Sequence, residues 1–182
     1  MLDLCPADGI VLDAACGTGR YFAVVVEAGR QVVGTDQSAG MLARAETRGG
    51  AVRLEHTRMQ ELSYDAAFDG AMVIDAMENI PPEDWPVVLA NLRRAIRPRG
   101  VIYLTVEEAA DREVVAAYKQ LSKRGLPAVP GEVTEGNVAS YHFYPGRPRV
   151  LTWVTDAGFD VLDEDYQQEE GWGYRHFLLR RT

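Results

Sequence analysis

The sequence predicts an α/β domain wound on both faces of a sheet, and three observations predict it. A short apolar run ends in a carboxylate and then in two glycines one residue apart, Val11-Leu12-Asp13-Ala14-Ala15-Cys16-Gly17-Thr18-Gly19. A second apolar run closes on a second carboxylate, Gln31-Val32-Val33-Gly34-Thr35-Asp36. Further apolar runs at 68–74 and 101–106 alternate with segments whose apolar residues recur at helical spacing.

The first of these stretches reads as strand, turn and helix. Residues 10–12 suit a strand buried on both faces, and Gly17 and Gly19 allow a tight turn with the backbone close to a ligand. Which ligand depends on the details. A dinucleotide fingerprint wants a third glycine three residues after the second, and Phe22 stands there. A carboxylate such as Asp13 repels a diphosphate but pairs with an ammonium or accepts from hydroxyls. The phosphate-cradling pattern of Gly, four residues and Gly-Lys-Ser/Thr is absent. Asp36 lies 17 positions beyond Gly19, at the expected tip of the next strand. In doubly wound folds an acidic residue about 20 residues on from the glycine turn accepts hydrogen bonds from ribose hydroxyls, so the ligand is expected to carry a ribose.

Composition bounds the rest. A chain of 182 residues, 47% apolar and 25% charged, suits one domain over 1–182 with one core. The net charge of −8, with no Lys/Arg-rich run to offset it, argues against a nucleic-acid partner and for a small molecule. Cys5 and Cys16 lack metal-ligand spacing, and neither a signal peptide nor an apolar stretch of about 18 residues is present, so a reduced, cytoplasmic setting without membrane contact is expected. No His/Cys/carboxylate cluster has ligand spacing, and no metal is expected.

Asp13, Gly17, Gly19 and Asp36 together resemble the class I S-adenosylmethionine-dependent methyltransferases. The likeness extends through Phe68-Asp69-Gly70-Ala71-Met72-Val73-Ile74-Asp75-Ala76 and Leu92-Arg93-Arg94-Ala95-Ile96-Arg97-Pro98-Arg99-Gly100-Val101. The resemblance implies a Rossmann-like, doubly wound, seven-stranded sheet, mostly parallel with an antiparallel last strand. It implies S-adenosyl-L-methionine as cofactor, S-adenosyl-L-homocysteine as product, and methyl transfer to an O, N or C nucleophile of a small molecule by in-line displacement. Carried over by position, the cofactor residues are Asp13, Ala14, Ala15, Gly17 and Gly19 in the first turn, and Asp36, Gln37 and Met41 after the second strand. Met59 and Gln60 fall on the adenine side, and Ile74, Asp75 and Ala76 at the fourth strand's tip.

Two departures stand out. Only nine residues precede the first strand, where the family usually carries one or two covering helices, so the fold is expected to be shortened at the N-terminus. Either the natural start lies upstream or another element closes the site. On the adenine side, where the family often has an acidic residue, this chain has Arg58 or Met59, and Gln60 with the backbone is expected to serve instead.

Taken in order, residues 21–28 suit a helix ending at Gly29, and Ser38 an N-cap for a helix through Met41, Leu42 and Ala45 that the pair Gly49-Gly50 ends. Alternation over 52–56 suits a third strand near the sheet edge. Pro81 and Pro82 introduce a helix to about Arg97. Residues 109–146 leave the simple alternation: one helix through Val114, Val115, Tyr118 and Leu121, then a loop rich in Gly, Pro and Glu, together read as an inserted substrate cap. A helix from Arg147 or Pro148 to Gly158 and strands at 159–162 and near 174–179 complete the chain.

His142 is the candidate general base, because imidazole titrates near neutral pH and lies in the expected cap. Glu107, at the fifth strand's end with Glu108, is the second catalytic candidate. His56 and His176 read as structural. Tyr141, Phe143, Tyr144, Trp172 and Tyr174 form either a substrate cage or part of the core. Two other functions compete with the enzyme: a protein that binds S-adenosylmethionine without catalysis, and a nicotinamide-dependent oxidoreductase.

Overall fold

The computed structural model describes residues 1–48, 52–135, 140–168 and 172–182. Among these the chain runs β1 (Ile10–Ala14), α1 (Phe22–Glu27), β2 (Gln31–Asp36), α2 (Ala39–Glu46), β3 (Arg53–His56), β4 (Phe68–Val73), α3 (Trp85–Ala95) and β5 (Ile96–Ala109). It continues through α4 (Asp111–Lys123), β6 (Glu132–Glu135), β7 (Ser140–Phe143), α5 (Arg147–Asp156), β8 (Phe159–Gln168) and β9 (Trp172–Arg181).

Seven strands form one sheet in the order β3-β2-β1-β4-β5-β9-β8. The first five are parallel, and β9 pairs antiparallel with both β5 and β8. The expected Rossmann-like architecture, mostly parallel with an antiparallel last strand, is the one observed. Winding reverses between β1 and β4, where Val11 pairs with Gly70 and Asp13 with Met72. A ligand crevice opens at the carboxyl ends of strands on either side of such a reversal.

Successive strand residues point to opposite faces, which explains why β1 is apolar without alternation. Leu12 joins the cluster built by Trp85, Leu89 and Leu92 of α3 on one face. Its neighbour Val11 joins Phe22, Val25 and Leu42 on the other. Both are fully buried.

Several boundaries differ from expectation. Ser38 caps α2 as expected, its Oγ accepting from the Met41 N–H at 3.3 Å, while the terminating pair at 49–50 lies outside the described residues. Pro81 and Pro82 lead into helix α3 through a turn in which the Asp84 N–H donates to the Pro81 carbonyl, and the helix itself starts at Trp85. It ends at Ala95, short of Arg97. Pro98 disfavours helical dihedrals at Arg97, and β5 begins at once at Ile96. Strands β8 and β9 are each 10 residues long, because their mutual pairing extends from Phe159 opposite Arg181 to Gln168 opposite Gly173.

Residues 124–146 are not simply a loop. β6 and β7 form a separate two-stranded antiparallel sheet, with Glu132 opposite Phe143 and Glu135 opposite Ser140. Phe143 fixes it to the core, fully buried with its ring 6.2 Å from that of Trp85 and 6.1 Å from that of Trp153. Both cysteines are buried and unpaired. No helix among the described residues is long and apolar enough to cross a membrane.

Candidate active site

The turn after β1 is built from left-handed backbone: Ala15 has φ 60°, Gly17 φ 54° and Gly19 φ 73°. The two glycines serve different needs. A Cβ on Gly17 would meet nothing within 4 Å, whereas one on Gly19 would lie 2.3 Å from the Phe22 ring. Gly17 thus keeps open space beside the backbone, and Gly19 lets the turn press against α1.

Asp36, the last residue of β2, accepts from the N–H groups of Gly17 and Ser38, each at 2.8 Å. It ties the glycine turn to the β2 tip and keeps spare lone pairs on both oxygens. Asp13 is 2% exposed, and its Oδ2 has no hydrogen-bond partner among the described residues. Burial first, and then the charge of Asp36, pushes its pKa up to about 7.

A cavity of about 310 Å³ opens over these tips. Ala15 and Gly17 line it from the turn after β1, and Asp36, Gln37, Ser38 and Met41 from the end of β2 and the start of α2. Thr57, Arg58, Met59 and Gln60 form one wall, and Asp75, Ala76, Asn79 and Ile80 the other. Gln60 is held by its amide, Nε2 donating to Asp84 Oδ2 at 3.0 Å, which leaves Oε1 as its available acceptor. Asn91 anchors the same turn by donating to the carbonyls of Met59 (3.1 Å) and Gln60 (2.8 Å). Arg58 pairs with Glu61.

At the β4 tip, Asp75 is also left-handed, with φ 55°. Its N–H donates to Thr105 Oγ1 at 2.9 Å, and its side chain accepts from the Tyr174 hydroxyl. Burial and that hydrogen bond hold the tyrosine far above its ordinary pKa. Glu78, in the 3-10 turn Met77–Asn79, is 4% exposed. Its Oε1 accepts from Asn79 Nδ2 at 2.8 Å, and its Oε2 has no partner among the described residues. Burial, with Asp75 and Glu107 adding like charge, pushes its pKa up to about 7.

A methyltransferase-domain family matches residues 11–100, the stretch that carries the glycine turn and the three acidic strand tips. A demethylmenaquinone methyltransferase of Parafrankia sp. is 29% identical over 177 residues, covering 82% of this chain and 69% of that protein. A solved S-adenosylmethionine-dependent methyltransferase from Methanosarcina mazei superposes with a TM-score of 0.83 at 16% identity, covering 99% of this chain and 95% of that one. The chain belongs to the class I S-adenosylmethionine-dependent methyltransferases. A further neighbour of this methyltransferase is the 1,6-didemethyltoxoflavin-N1-methyltransferase of Burkholderia thailandensis, with a TM-score of 0.73, 22% identity, and coverage of 96% and 72%.

The enzyme's cofactor is S-adenosylmethionine. Its residues suit a molecule with a ribose and an ammonium: a carboxylate with spare lone pairs at the β2 tip, an orphan oxygen on Asp13, and a glycine whose missing side chain leaves room.

Of the methyltransferase residues expected from sequence, Ala15, Gly17, Asp36, Gln37, Met41, Met59, Gln60, Asp75 and Ala76 all line the cavity. Asp13, Ala14 and Gly19 are instead buried in the strand and turn, and Ile74 packs against the second core cluster. Glu107 stands close enough to Glu78 and Tyr174 to raise the pKa of both. His142 lies on β7, its Nδ1 3.0 Å from the Tyr144 hydroxyl, and is not among the cavity's lining residues. His56 and His176 are held by Gln37 O (2.8 Å) and the Tyr103 hydroxyl (2.7 Å). The aromatic set divides: Phe143 is core, while Trp172 and Tyr174 stack edge to face on β9 with centroids 5.1 Å apart. Sequence reasoning singled out neither Glu78 nor Thr105. Only the spacing of Glu78 three residues after Asp75, one helical turn past a strand tip, hinted at the pairing.

Proposed function

We propose that the cavity over the β1, β2 and β4 tips binds the adenosyl group of S-adenosylmethionine and that the enzyme methylates a small molecule. Asp36 accepts from the ribose hydroxyls. Gln60 offers Oε1 to the exocyclic amine of adenine, while Met41 and Met59 border the base. Asp13, beneath Ala14 and Ala15, supplies the negative charge that balances the methionine ammonium. Ile74, Asp75 and Ala76 bound the methionine chain.

When bound, the cofactor supplies a methyl group already activated by a cationic sulfur, which a nucleophile displaces in line. The protein's task is then to align the two partners and exclude water. Residues 109–146 serve as a substrate cap on the single domain 1–182. β7 packs against the turn Met77–Asn79, and Asn79 of that turn lines the cavity. The small-molecule class is supported by the net charge of −8 and by the compact, acid-rimmed cavity. The Burkholderia neighbour was solved with 1,6-didemethyltoxoflavin bound.

The observation that carries this reading is Asp36 at the β2 tip, hydrogen-bonded to the Gly17 N–H at the mouth of an open cavity. Calorimetric titration tests it: S-adenosylhomocysteine should bind at one site per chain and NAD should give no heat. The reverse result would contradict the reading.

A further inference from the structure

The two faces of the sheet are covered unequally. On one, α3 packs on β5 and α5 on β8, and Leu104 and Phe177 join their buried cluster. On the other, α1 packs on β2 and α2 on β2 and β3. No such helix lies over β5, β9 and β8 on that second face among the described residues.

Strand register shows what is left open there. Tyr103 lies opposite Leu178 and Leu178 opposite Asp163, while His176 lies opposite Asp165. Alternation along β9 puts Trp172, Tyr174, His176 and Leu178 in one row. The rings of Trp172 and Tyr174 meet edge to face at 5.1 Å, and His176 stacks on Tyr103 at 5.9 Å. Asp163 and Asp165 flank this row on β8, at a cavity of about 340 Å³. Both are exposed, and neither joins an ion pair among the described residues.

Helix α4 has the opposite charge. Residues 112–131 hold both lysines of a chain of net charge −8, and one acidic residue, Glu113. With about 3.6 residues per turn, Val114, Ala117 and Leu121 share one side, half-buried where α4 packs on β6. Tyr118, Val115, Lys119, Arg112 and Lys123 follow in angular order on the side turned away. All five are exposed, Val115 by 48% and Tyr118 by 37%. The dimensions match as well as the charges. The 13 residues of α4 span about 20 Å, as does the β9 row from Trp172 to Leu178. Lys119 and Lys123 repeat at about 6 Å along the helix, and Asp163 and Asp165 at about 7 Å along the strand.

We propose that a second copy of this chain lays its α4 along the open face of β5, β9 and β8, with Val115 and Tyr118 on the row of Tyr103, His176 and Leu178 and with Lys119 and Lys123 opposite Asp163 and Asp165. Each copy carries both surfaces, so a two-fold axis lets each give its helix and receive the other's. Like charges keep helix from helix and sheet face from sheet face, which fixes the pairing. Tyr174, in the same row, donates to Asp75 on the cavity wall, so the contact reaches the edge of the active site.

Sedimentation velocity tests this on the wild type, on Lys119→Glu/Lys123→Glu and on Asp163→Lys/Asp165→Lys. The wild type should form a concentration-dependent dimer whose Kd rises about tenfold or more between about 0.05 M and about 0.5 M salt. Each charge-reversed variant should sediment as a monomer while still binding S-adenosylhomocysteine, which shows that it is folded. An equimolar mixture of the two should dimerise again, because each copy then meets the opposite charge on both of its surfaces. Tyr118→Ser leaves the charges alone and should weaken the dimer about tenfold, which keeps the proposal open to test if a reversal unfolds the chain. A wild type that stays monomeric at all concentrations leaves the face to solvent or to a different partner and overturns the proposal. So does a dimer that survives in either reversed variant, or a mixture of folded variants that stays monomeric.

Discussion

The β1–β2 tips and the β4–β5 tips both gather carboxylates, but they hold them differently. Asp36 is satisfied by two backbone N–H groups, so its position follows from the fold of the glycine turn. Glu78 has one side-chain amide and an orphan oxygen, and its neighbours repel it. The first arrangement is complete before a ligand arrives and presents a fixed acceptor. The second is completed only by a proton or a cation, and so its state follows pH and ligand. One pair of tips is shape set by the backbone, and the other is charge awaiting a counterpart.

The largest expected effect breaks the shape side. Gly19→Ala places a Cβ 2.3 Å from the Phe22 ring at φ 73°. Left-handed strain and overpacking together should cost about 2–4 kcal/mol in thermal or urea unfolding, with S-adenosylhomocysteine affinity falling as the turn shifts. The charge side should respond to pH instead. Glu78 is raised from 4.5 to about 7 in the folded chain, so the folded state holds its proton more tightly than the unfolded one. The resulting stability is full below about pH 4.5 and is lost as pH rises through 7, up to about 3 kcal/mol. Glu78→Gln should therefore match the wild type near pH 4.5 and melt higher at pH 8, an order that differential scanning calorimetry reads directly. Asp13, raised for the same leading reason, predicts the same sign for Asp13→Asn.

Two smaller changes sharpen the contrast. Asp36→Ala should weaken S-adenosylhomocysteine binding by about 1–3 kcal/mol, measured by calorimetry, because it removes a charged acceptor and frees the Gly17 and Ser38 amides. Ala15→Gly relieves a left-handed alanine at φ 60° and should raise stability by about 1 kcal/mol, a melting-temperature gain of about 2–4 °C.

Most of the shape side was legible in the sequence. Backbone geometry leaves a strong local signature: an apolar run, a carboxylate and glycines at fixed spacing name the turn, and Asp36 follows at the distance a doubly wound unit requires. On the charge side Asp75 and Glu107 were legible as strand-end carboxylates, but the burial of Glu78 was not, because it comes from tertiary packing. An acidic residue in Ala76-Met77-Glu78-Asn79 reads locally as solvated, whereas the turn packs against β5 and β7 and Glu78 is buried. The β6–β7 hairpin was hidden for a similar reason: its strands are four residues long, among Gly and Pro, and are held by Phe143 reaching a core formed by distant helices. Pro81 and Pro82 do introduce α3, but through a turn that the sequence did not reveal. His142 was chosen for its chemistry and its place in the expected cap, and the structure sets its Nδ1 3.0 Å from the Tyr144 hydroxyl, outside the residues that line the cavity.

The most direct measurement is a crystal structure of the protein with S-adenosylhomocysteine. The account predicts the ribose hydroxyls on Asp36, the adenine between Met41 and Gln60, and the sulfur turned toward Asp75 and the Glu78 turn. A nucleoside bound away from the β2 tip, with Asp36 still held only by Gly17 and Ser38, would contradict it.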